Sequence, residues 1–208
     1  MDLLKIREKW GGCTSCSGMI GGPVLHEGQP SSICFIAEAL GRDEVRLERP
    51  LIGPAGQVFN RILDAAGIKR EDVFLMNTVS CRPPNNKLQG HEISTCAPVR
   101  EALIKACNPQ VIVVLGAIAM KALFPDVKKG VIANRGSVRR YNGIPTVITL
   151  HPSYVMRMES FSKSDAESAR TVRVIKTNVL HDYLLAKQIS QGGQNEQREE
   201  ERLQKTDT

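Results

Sequence analysis

The sequence predicts an α/β fold, a three-layer α/β/α arrangement around a central parallel sheet of four strands. Short apolar segments typical of buried strands alternate with amphipathic segments of ten or more residues, and this spacing leaves room for helical crossovers between parallel strands. Residues 111–115, a β-branched run, form the strongest of these strands. The chain has 208 residues and is 41% hydrophobic, so it can bury one core, and we expect a single domain over residues 1–187.

The predicted elements follow from the change between strand-like and helix-like periodicity. In order they are a strand (33–37), a helix (55–67), a strand (74–77), a loop (82–90), a helix (91–107), the strand at 111–115, a helix (116–124), a basic loop (128–140), a strand (146–150) and a long helix (165–187). Gly67 suits the C-cap of the first helix. From Gln188 onward the sequence is rich in Gln and Glu and contains a Gly-Gly pair, which predicts a disordered polar tail over residues 188–208.

Charge is unevenly distributed along the chain. The formal net charge is +6, and the last thirteen residues carry five acidic and three basic side chains, so residues 1–195 carry +8. A basic body indicates a polyanionic partner, although a solvated basic surface without a partner explains the charge equally well.

The charged N-terminus lacks the apolar core of a signal peptide, and the longest apolar run is too short to span a membrane. We therefore expect a cytoplasmic protein in a reducing compartment, with no membrane partner.

Six cysteines in a reducing compartment favour a metal site over disulfides. Cys13 and Cys16 form a C-x2-C pair in a glycine-flanked loop, Cys81 lies shortly after the second predicted strand, and Cys96 lies on the next helix. A zinc ribbon would need a second C-x2-C pair, whereas the uneven spacing suits an iron–sulfur cube. Buried free cysteines are the alternative. The other two cysteines, Cys34 and Cys107, occupy positions typical of core residues.

Polar residues follow the ends of three predicted strands: Glu38, Asn77 and His151. In open parallel sheets the ligand site lies beyond the carboxyl ends of the strands. We therefore expect these three side chains to converge on one cleft. Asn77 and His151 also have ordinary structural interpretations, as a turn-forming Asn and as a His that caps a strand end.

Six segments together resemble the family 4 uracil-DNA glycosylases, the iron–sulfur branch of that superfamily. In order they are the C-x2-C pair at 13–16, AEALGRDE at 37–44, RPLIGPAG at 49–56, NTVSCRPPN at 77–85, VLG at 114–116 and HPSY at 151–154. The resemblance covers about residues 10–185. It implies the same three-layer fold, and a [4Fe–4S] cluster held by Cys13, Cys16, Cys81 and Cys96.

The resemblance also implies a reaction, the hydrolysis of the N-glycosidic bond of deoxyuridine in DNA. The base must leave the stack before the bond can be reached. By resemblance His151 donates a hydrogen bond to the uracil carbonyl O2, Asn77 reads the uracil edge, and Glu38 orients water and stabilises positive charge on the sugar. Ala39, Glu44 and Leu51 are the remaining residues expected around the base, although Glu44 taken alone suits an exposed loop position.

Two residues depart from the family pattern. Leu40 stands where the family has proline, and Leu51 stands where the family has an aromatic residue that stacks on uracil. An aromatic stack is worth about 1–3 kcal/mol. These departures keep two alternatives open, a non-catalytic iron–sulfur module that binds DNA and a glycosylase with altered base specificity.

DNA contacts are expected from two basic stretches. The first contains Arg82, Asn85, Asn86 and Lys87, and the second contains Lys128, Lys129, Arg135, Arg139 and Arg140. Solvated loops without a DNA contact are the alternative for both stretches.

A third DNA contact is implied by the resemblance. In the superfamily a loop after the His-Pro-Ser segment fills the space of the flipped base, for which Met156 and Arg157 are the candidates. We expect a monofunctional enzyme, because no lysine matches a motif position. It should act as a monomer on double- or single-stranded uracil-containing DNA.

Overall fold

The computed structural model describes residues 1–161 and 165–206, with side chains described as far as residue 192. Within these residues the strands are β1 (His26–Glu27), β2 (Ile33–Ala37), β3 (Phe74–Asn77), β4 (Val111–Leu115), β5 (Val138–Tyr141) and β6 (Ile144–Thr149). The α-helices are α1 (Leu3–Trp10), α2 (Arg42–Leu47), α3 (Pro54–Ala65), α4 (Gly90–Thr95), α5 (Ala97–Cys107), α6 (Gly116–Leu123), α7 (Val131–Asn134), α8 (Pro152–Phe161) and α9 (Ala166–Thr206).

The described strands form one sheet in the order β1-β3-β2-β4-β6-β5. The four central strands are parallel, as predicted, and their carboxyl ends therefore share one edge of the sheet. The outer strands β1 and β5 pair antiparallel with their neighbours and extend the predicted four strands to six. A strand as short as β1, which has only two residues, shows no periodicity from which it could be predicted.

Alternating residues of the central strands divide the core between the two faces of the sheet. Phe35 and Val113 pack on one face with residues of α3, α8 and α9. Cys34 and Ile112 pack on the other face with residues of α1, α5 and α6. The sheet is thus the middle layer of three, which confirms the predicted fold class.

Several segments differ from the sequence prediction. The helix predicted over 91–107 is divided at Cys96, which caps both α4 and α5, because Pro98 in the first turn of α5 has no N–H to continue a helix from α4. The basic segment 128–140 contains α7 and most of β5. The residues after His151 form α8, where the sequence predicts a loop.

The predicted tail also differs in the structure, because α9 continues through residues 188–206 to Thr206. Gln, Glu, Arg and Lys are good helix formers, and adding turns to an existing helix avoids the cost of nucleation. Packing also extends past residue 187, since Ile189 contacts the core and Ser190 is buried. Residues 207 and 208 of the predicted tail lie outside the described residues. In the part of the chain that is described, no helix has an apolar stretch able to cross a membrane.

Candidate active site

A cavity of about 610 Å³ opens at the edge of the sheet where the parallel strands end. It is bounded by the segment after β2, the start of α3, the loop after β3 and the start of α8. Nine of the residues predicted from the sequence line it, namely Glu38, Ala39, Glu44, Leu51, Arg82, Asn86, His151, Met156 and Arg157. Residues far apart in sequence therefore meet here, as the strand-end rule predicts.

His151 is held in one defined orientation by the first turn of α8. Its Nδ1 lies 3.1 Å from the backbone N–H of Ser153, which donates to it, and 2.8 Å from the Ser153 hydroxyl. Because Nδ1 accepts the backbone hydrogen bond, the proton of the neutral ring resides on Nε2. Burial, together with the nearby Arg157 charge, lowers the pKa of His151 to about 4. At neutral pH the ring is an uncharged donor through Nε2.

Glu38 lies in the same cavity, one residue beyond the end of β2. Its backbone carbonyl accepts a hydrogen bond from the N–H of Val79 at 3.0 Å. This bond holds the segment after β2 against the loop after β3. Burial raises the pKa of the Glu38 carboxyl, and the Arg157 charge partly opposes this shift. The cavity thus contains a carboxyl group of raised proton affinity together with a histidine donor.

Asn77 lies at the end of β3 and is paired in register with Ala37 at the end of β2. Its side chain is only 2% exposed, and its Nδ2 has no hydrogen-bond partner among the described residues. A buried amide without a partner is costly, which suggests that a bound molecule supplies the missing acceptor. Asn77 is not among the residues that line the cavity, but its register partner Ala37 directly precedes Glu38.

Glu44 has a different environment from the exposed loop position that its sequence context suggests. It is 8% exposed, and its Oε1 accepts hydrogen bonds from the backbone N–H groups of Ile52 and Gly53, at 3.0 and 2.8 Å. The Glu44 carboxylate therefore attaches α2 to the segment that carries Leu51. Leu51 itself is buried at the cavity wall and has a left-handed backbone conformation, with φ of 48°.

The first basic stretch lies beside the cavity, although its members divide between two positions. Arg82 lines the cavity and donates from Nε to Oδ1 of Asn86 at 3.2 Å, and Asn86 also lines it. Asn85 and Lys87 are not among the lining residues. Asn85 and Asn86 both have positive φ, which asparagine tolerates better than most residues. This tight turn places the side chains of Arg82 and Asn86 in the cavity wall.

The second basic stretch is partly used within the protein. Arg135 donates from Nε and Nη2 to the two carboxylate oxygens of Asp182, at 3.2 and 2.5 Å, and Asp182 is 2% exposed. Asp182 also accepts a 2.6 Å hydrogen bond from Thr149 at the end of β6. The Arg135 fork is therefore engaged by a buried carboxylate, and Arg135 has a structural role that the sequence prediction did not include.

Four cysteines surround a second cavity, of about 160 Å³. Its walls include Cys13, Cys16, Cys81 and Cys96. Burial and the neighbouring thiols together raise the pKa of Cys81 to about 11, so a positively charged group would relieve the mutual repulsion of the thiolates. In residues 1–161 and 165–206 no three potential ligands are placed to share a single metal ion. The donor set and the space between the thiols fit an extended group such as an iron–sulfur cluster.

The cysteine loop is joined to the active-site loop by backbone hydrogen bonding. Ile20 donates to the carbonyl of Arg82 at 2.9 Å, and the two residues form an antiparallel bridge. A group bound by Cys13 and Cys16 would therefore restrain Arg82 through this bridge.

Two contributions to the site go beyond what was predicted from the sequence. Asn85 and Asn86 were both expected as DNA contacts, and of the two it is Asn86 that lines the cavity. Ser153 follows His151-Pro152 directly, so the His-Pro-Ser motif contained a signal for a residue that orients the imidazole.

Comparison with known proteins agrees with this fold and site. The family model of the uracil DNA glycosylase superfamily matches residues 26–175. The Type-4 uracil-DNA glycosylase of Thermotoga maritima is 36% identical over 165 residues, which are 77% of this chain and 85% of that protein. The corresponding protein of Pyrobaculum aerophilum is 33% identical, over 76% of this chain and 86% of its own. That of Sulfurisphaera tokodaii is 29% identical, over 94% and 93%. The chain therefore belongs to the uracil DNA glycosylase superfamily, which confirms the resemblance.

Proposed function

We propose that this protein is a monofunctional uracil-DNA glycosylase that hydrolyses the N-glycosidic bond of deoxyuridine and leaves an abasic site for base excision repair. Membership of the superfamily and the Type-4 relatives support the activity. The observation that carries the proposal for this chain is the orientation of His151, whose Nδ1 is bound to Ser153 so that Nε2–H is the donor.

His151 stabilises the leaving group in this proposal. When the bond between the sugar and uracil breaks, its electron pair stays with uracil and negative charge develops on the carbonyl oxygen O2. A preorganised neutral donor at this oxygen is worth about 3–4 kcal/mol, or roughly 10²–10³ in rate. The low pKa of His151 keeps the ring in its neutral form at the pH of the reaction.

Glu38 serves the other half of the reaction. As uracil departs, the sugar acquires oxocarbenium character, which a nearby carboxylate stabilises. Glu38 accepts a proton from the attacking water while the water oxygen forms a bond to C1′ of the sugar. The burial that raises the pKa of Glu38 also makes its carboxylate a stronger base.

Asn77 and Leu51 bind the flipped base. The Asn77 amide donates to O4 and accepts from N3–H, a pattern that matches uracil and mismatches cytosine. Its Nδ2 has no partner within residues 1–161 and 165–206, which supports this role. Leu51 covers the face of the ring, Ala39 lies beside the base, and Glu44 keeps the Leu51 segment in place.

The DNA backbone is bound beside the cavity mouth by Arg82, Asn85 and Lys87. Each phosphate contact adds about −0.9 to the slope of log affinity against log salt. Met156 and Arg157, on the first two turns of α8, are the candidates to fill the space that the flipped base leaves.

A [4Fe–4S] cluster would be held in this proposal by the four cysteines of the second cavity, Cys13, Cys16, Cys81 and Cys96. When bound, the cluster supplies a cross-link between the N-terminal loop, the loop after β3 and the junction of α4 and α5. The bridge between Ile20 and Arg82 then transmits this restraint to the DNA-binding loop.

A strand-break assay tests the proposed activity. The protein is incubated with an oligonucleotide that contains a single uracil, in single strands and opposite each base, and alkali then cleaves abasic sites. We expect breaks at uracil, none in a matched thymine oligonucleotide, and a loss of about 10²-fold or more in His151→Ala. Absence of breaks in every uracil substrate would refute the proposal. Breaks at another base but not at uracil would favour a changed specificity instead.

A further inference from the structure

Residues 50 and 51 are held by a side chain that lies outside the cavity. Arg70, in the turn before β3, donates from Nη1 to the carbonyl of Leu51 at 2.9 Å and from Nη2 to the carbonyl of Pro50 at 2.6 Å. Its side chain is 16% exposed. Arg70 is not among the residues that line the cavity.

The Arg70 guanidinium has all five of its N–H donors engaged. Besides the two carbonyls, it donates from Nε and Nη2 to the two carboxylate oxygens of Glu27, at 2.8 and 3.0 Å, and from Nη1 to Oδ1 of Asn60 at 2.8 Å. Glu27 lies on β1 and Asn60 lies on α3. The fork is therefore fixed in position by two separate elements as well as by the loop that it contacts.

The backbone that Arg70 holds adopts a costly conformation. Leu51 has φ of 48°, a region that residues with a branched side chain rarely enter. Its carbonyl also lies against α3, because a Cβ on Gly56 would be 2.0 Å from the Leu51 oxygen. The Glu44 carboxylate accepts hydrogen bonds from the N–H groups of Ile52 and Gly53. The segment is thus clamped through its carbonyls by Arg70 and through its amides by Glu44.

We propose that Arg70 is a positioning residue for base recognition, which sets the left-handed conformation of Leu51 and thereby the face that Leu51 presents to the flipped base. This inference rests on the proposed function, since the base is the ligand of the cavity. Arg70 does not line the cavity and acts through the Pro50 and Leu51 carbonyls.

A double-mutant cycle tests the proposal. Arg70→Lys keeps the positive charge but removes the fork, so we expect the single-turnover excision rate to fall about 10- to 100-fold, with DNA affinity nearly unchanged. In the Leu51→Gly background the left-handed conformation has no cost and there is no side chain to position. There we expect Arg70→Lys to change the rate by less than about twofold. An equal loss in both backgrounds would overturn the positioning role.

The matched control is Arg49→Lys. Arg49 forms the same forked pair with Glu27, at 2.9 and 3.1 Å, but within the described chain the contacts to the Pro50 and Leu51 carbonyls come from Arg70. We expect this variant to excise uracil within about twofold of the wild-type rate. A loss as large as that of Arg70→Lys would show that the Glu27 pair, and not the carbonyl contacts, is responsible, and would also overturn the proposal.

Amide hydrogen exchange provides a readout that does not depend on activity. We expect Arg70→Lys to speed exchange at Ile52 and Gly53 at least about tenfold, while the amides of β4 keep their wild-type rates. Unchanged exchange at these two amides would contradict the claim that Arg70 holds the segment of residues 50–53 in place. If the wild-type protein released no uracil but the exchange result held, the proposed function would fail and the clamp would stand.

Discussion

Gly116 and His151 approach each other so closely that a side chain at position 116 would displace one of the two residues. A Cβ on Gly116 would lie 2.8 Å from the Cβ of His151, and Gly116 has φ of 91°. Gly116 begins α6 directly after β4, and His151 follows the neighbouring parallel strand β6. The absence of a side chain at one strand end therefore makes room for the imidazole at the next.

Gly116→Ala is expected to impair catalysis more than folding. The added methyl group strains the backbone, at a cost of about 1–3 kcal/mol, and displaces His151. A displacement of about 1 Å at a catalytic group lowers the rate by up to about 10²-fold. Single-turnover excision and urea unfolding measure the two effects. The control is Gly130→Ala, where φ is −67° and no described atom lies within 4 Å of the added Cβ. Equal activity of the two variants would contradict the role of Gly116.

The pH dependence of excision is expected to follow Glu38 and not His151. Burial raises the pKa of Glu38, so its carboxylate becomes protonated at a higher pH than that of an ordinary glutamate. The excision rate should therefore fall as the pH is lowered through this pKa. The pKa of His151 is lowered to about 4, so this ring contributes no inflection near 6.5, the ordinary pKa of histidine. We expect the acid limb to disappear in Glu38→Gln, with a low and flat profile.

Nitrogen NMR of the wild-type protein should show His151 neutral at a pH of about 6, protonated on Nε2. An imidazole that titrates in the ordinary histidine range would contradict this assignment.

Periodicity is sufficient to predict the elements that bury large apolar faces. The central strands are predicted because their apolar runs are continuous, and α3 because its apolar residues recur on one face. The convergence of Glu38 and His151 follows from the rule that parallel strands end at one edge. None of this needs knowledge of contacts between distant residues.

The features that the sequence does not predict depend on tertiary contacts. β1 has two residues and no readable period, yet it carries Glu27, which orients Arg70. Arg70 is one of many cations in the sequence, and its two carbonyl contacts lie 19 and 20 residues away. The pairing of Arg135 with Asp182 spans 47 residues, so the sequence shows only a basic stretch where the fold has a buried ion pair. Local sequence does not encode such partners.

The cysteines that surround the second cavity are expected to differ from the core cysteines in their effect on iron content. Cys81→Ala removes one of the four thiols proposed to hold the cluster, so we expect this variant to lack the iron and the brown absorbance near ~400 nm that the proposed cluster gives the wild-type protein. Cys107→Ala is the control, because Cys107 packs in the core and does not line that cavity. It should keep full iron content with a modest loss of stability. Stoichiometric zinc without iron in the wild-type protein would contradict the proposed cluster.

Leu51→Phe is expected to speed excision. Leu51 lies at the wall of a cavity of about 610 Å³, and an aromatic ring there can stack on the flipped base for about 1–3 kcal/mol. That energy corresponds to roughly fivefold or more in affinity for the flipped state, and both residues face the same backbone strain at φ of 48°. Leu51→Met is the control, since methionine has a similar volume and no ring, and it should match the wild type. Single-turnover rates on one uracil duplex compare the three proteins. If Leu51→Phe is no faster than Leu51→Met, leucine already covers the base as well as a ring does.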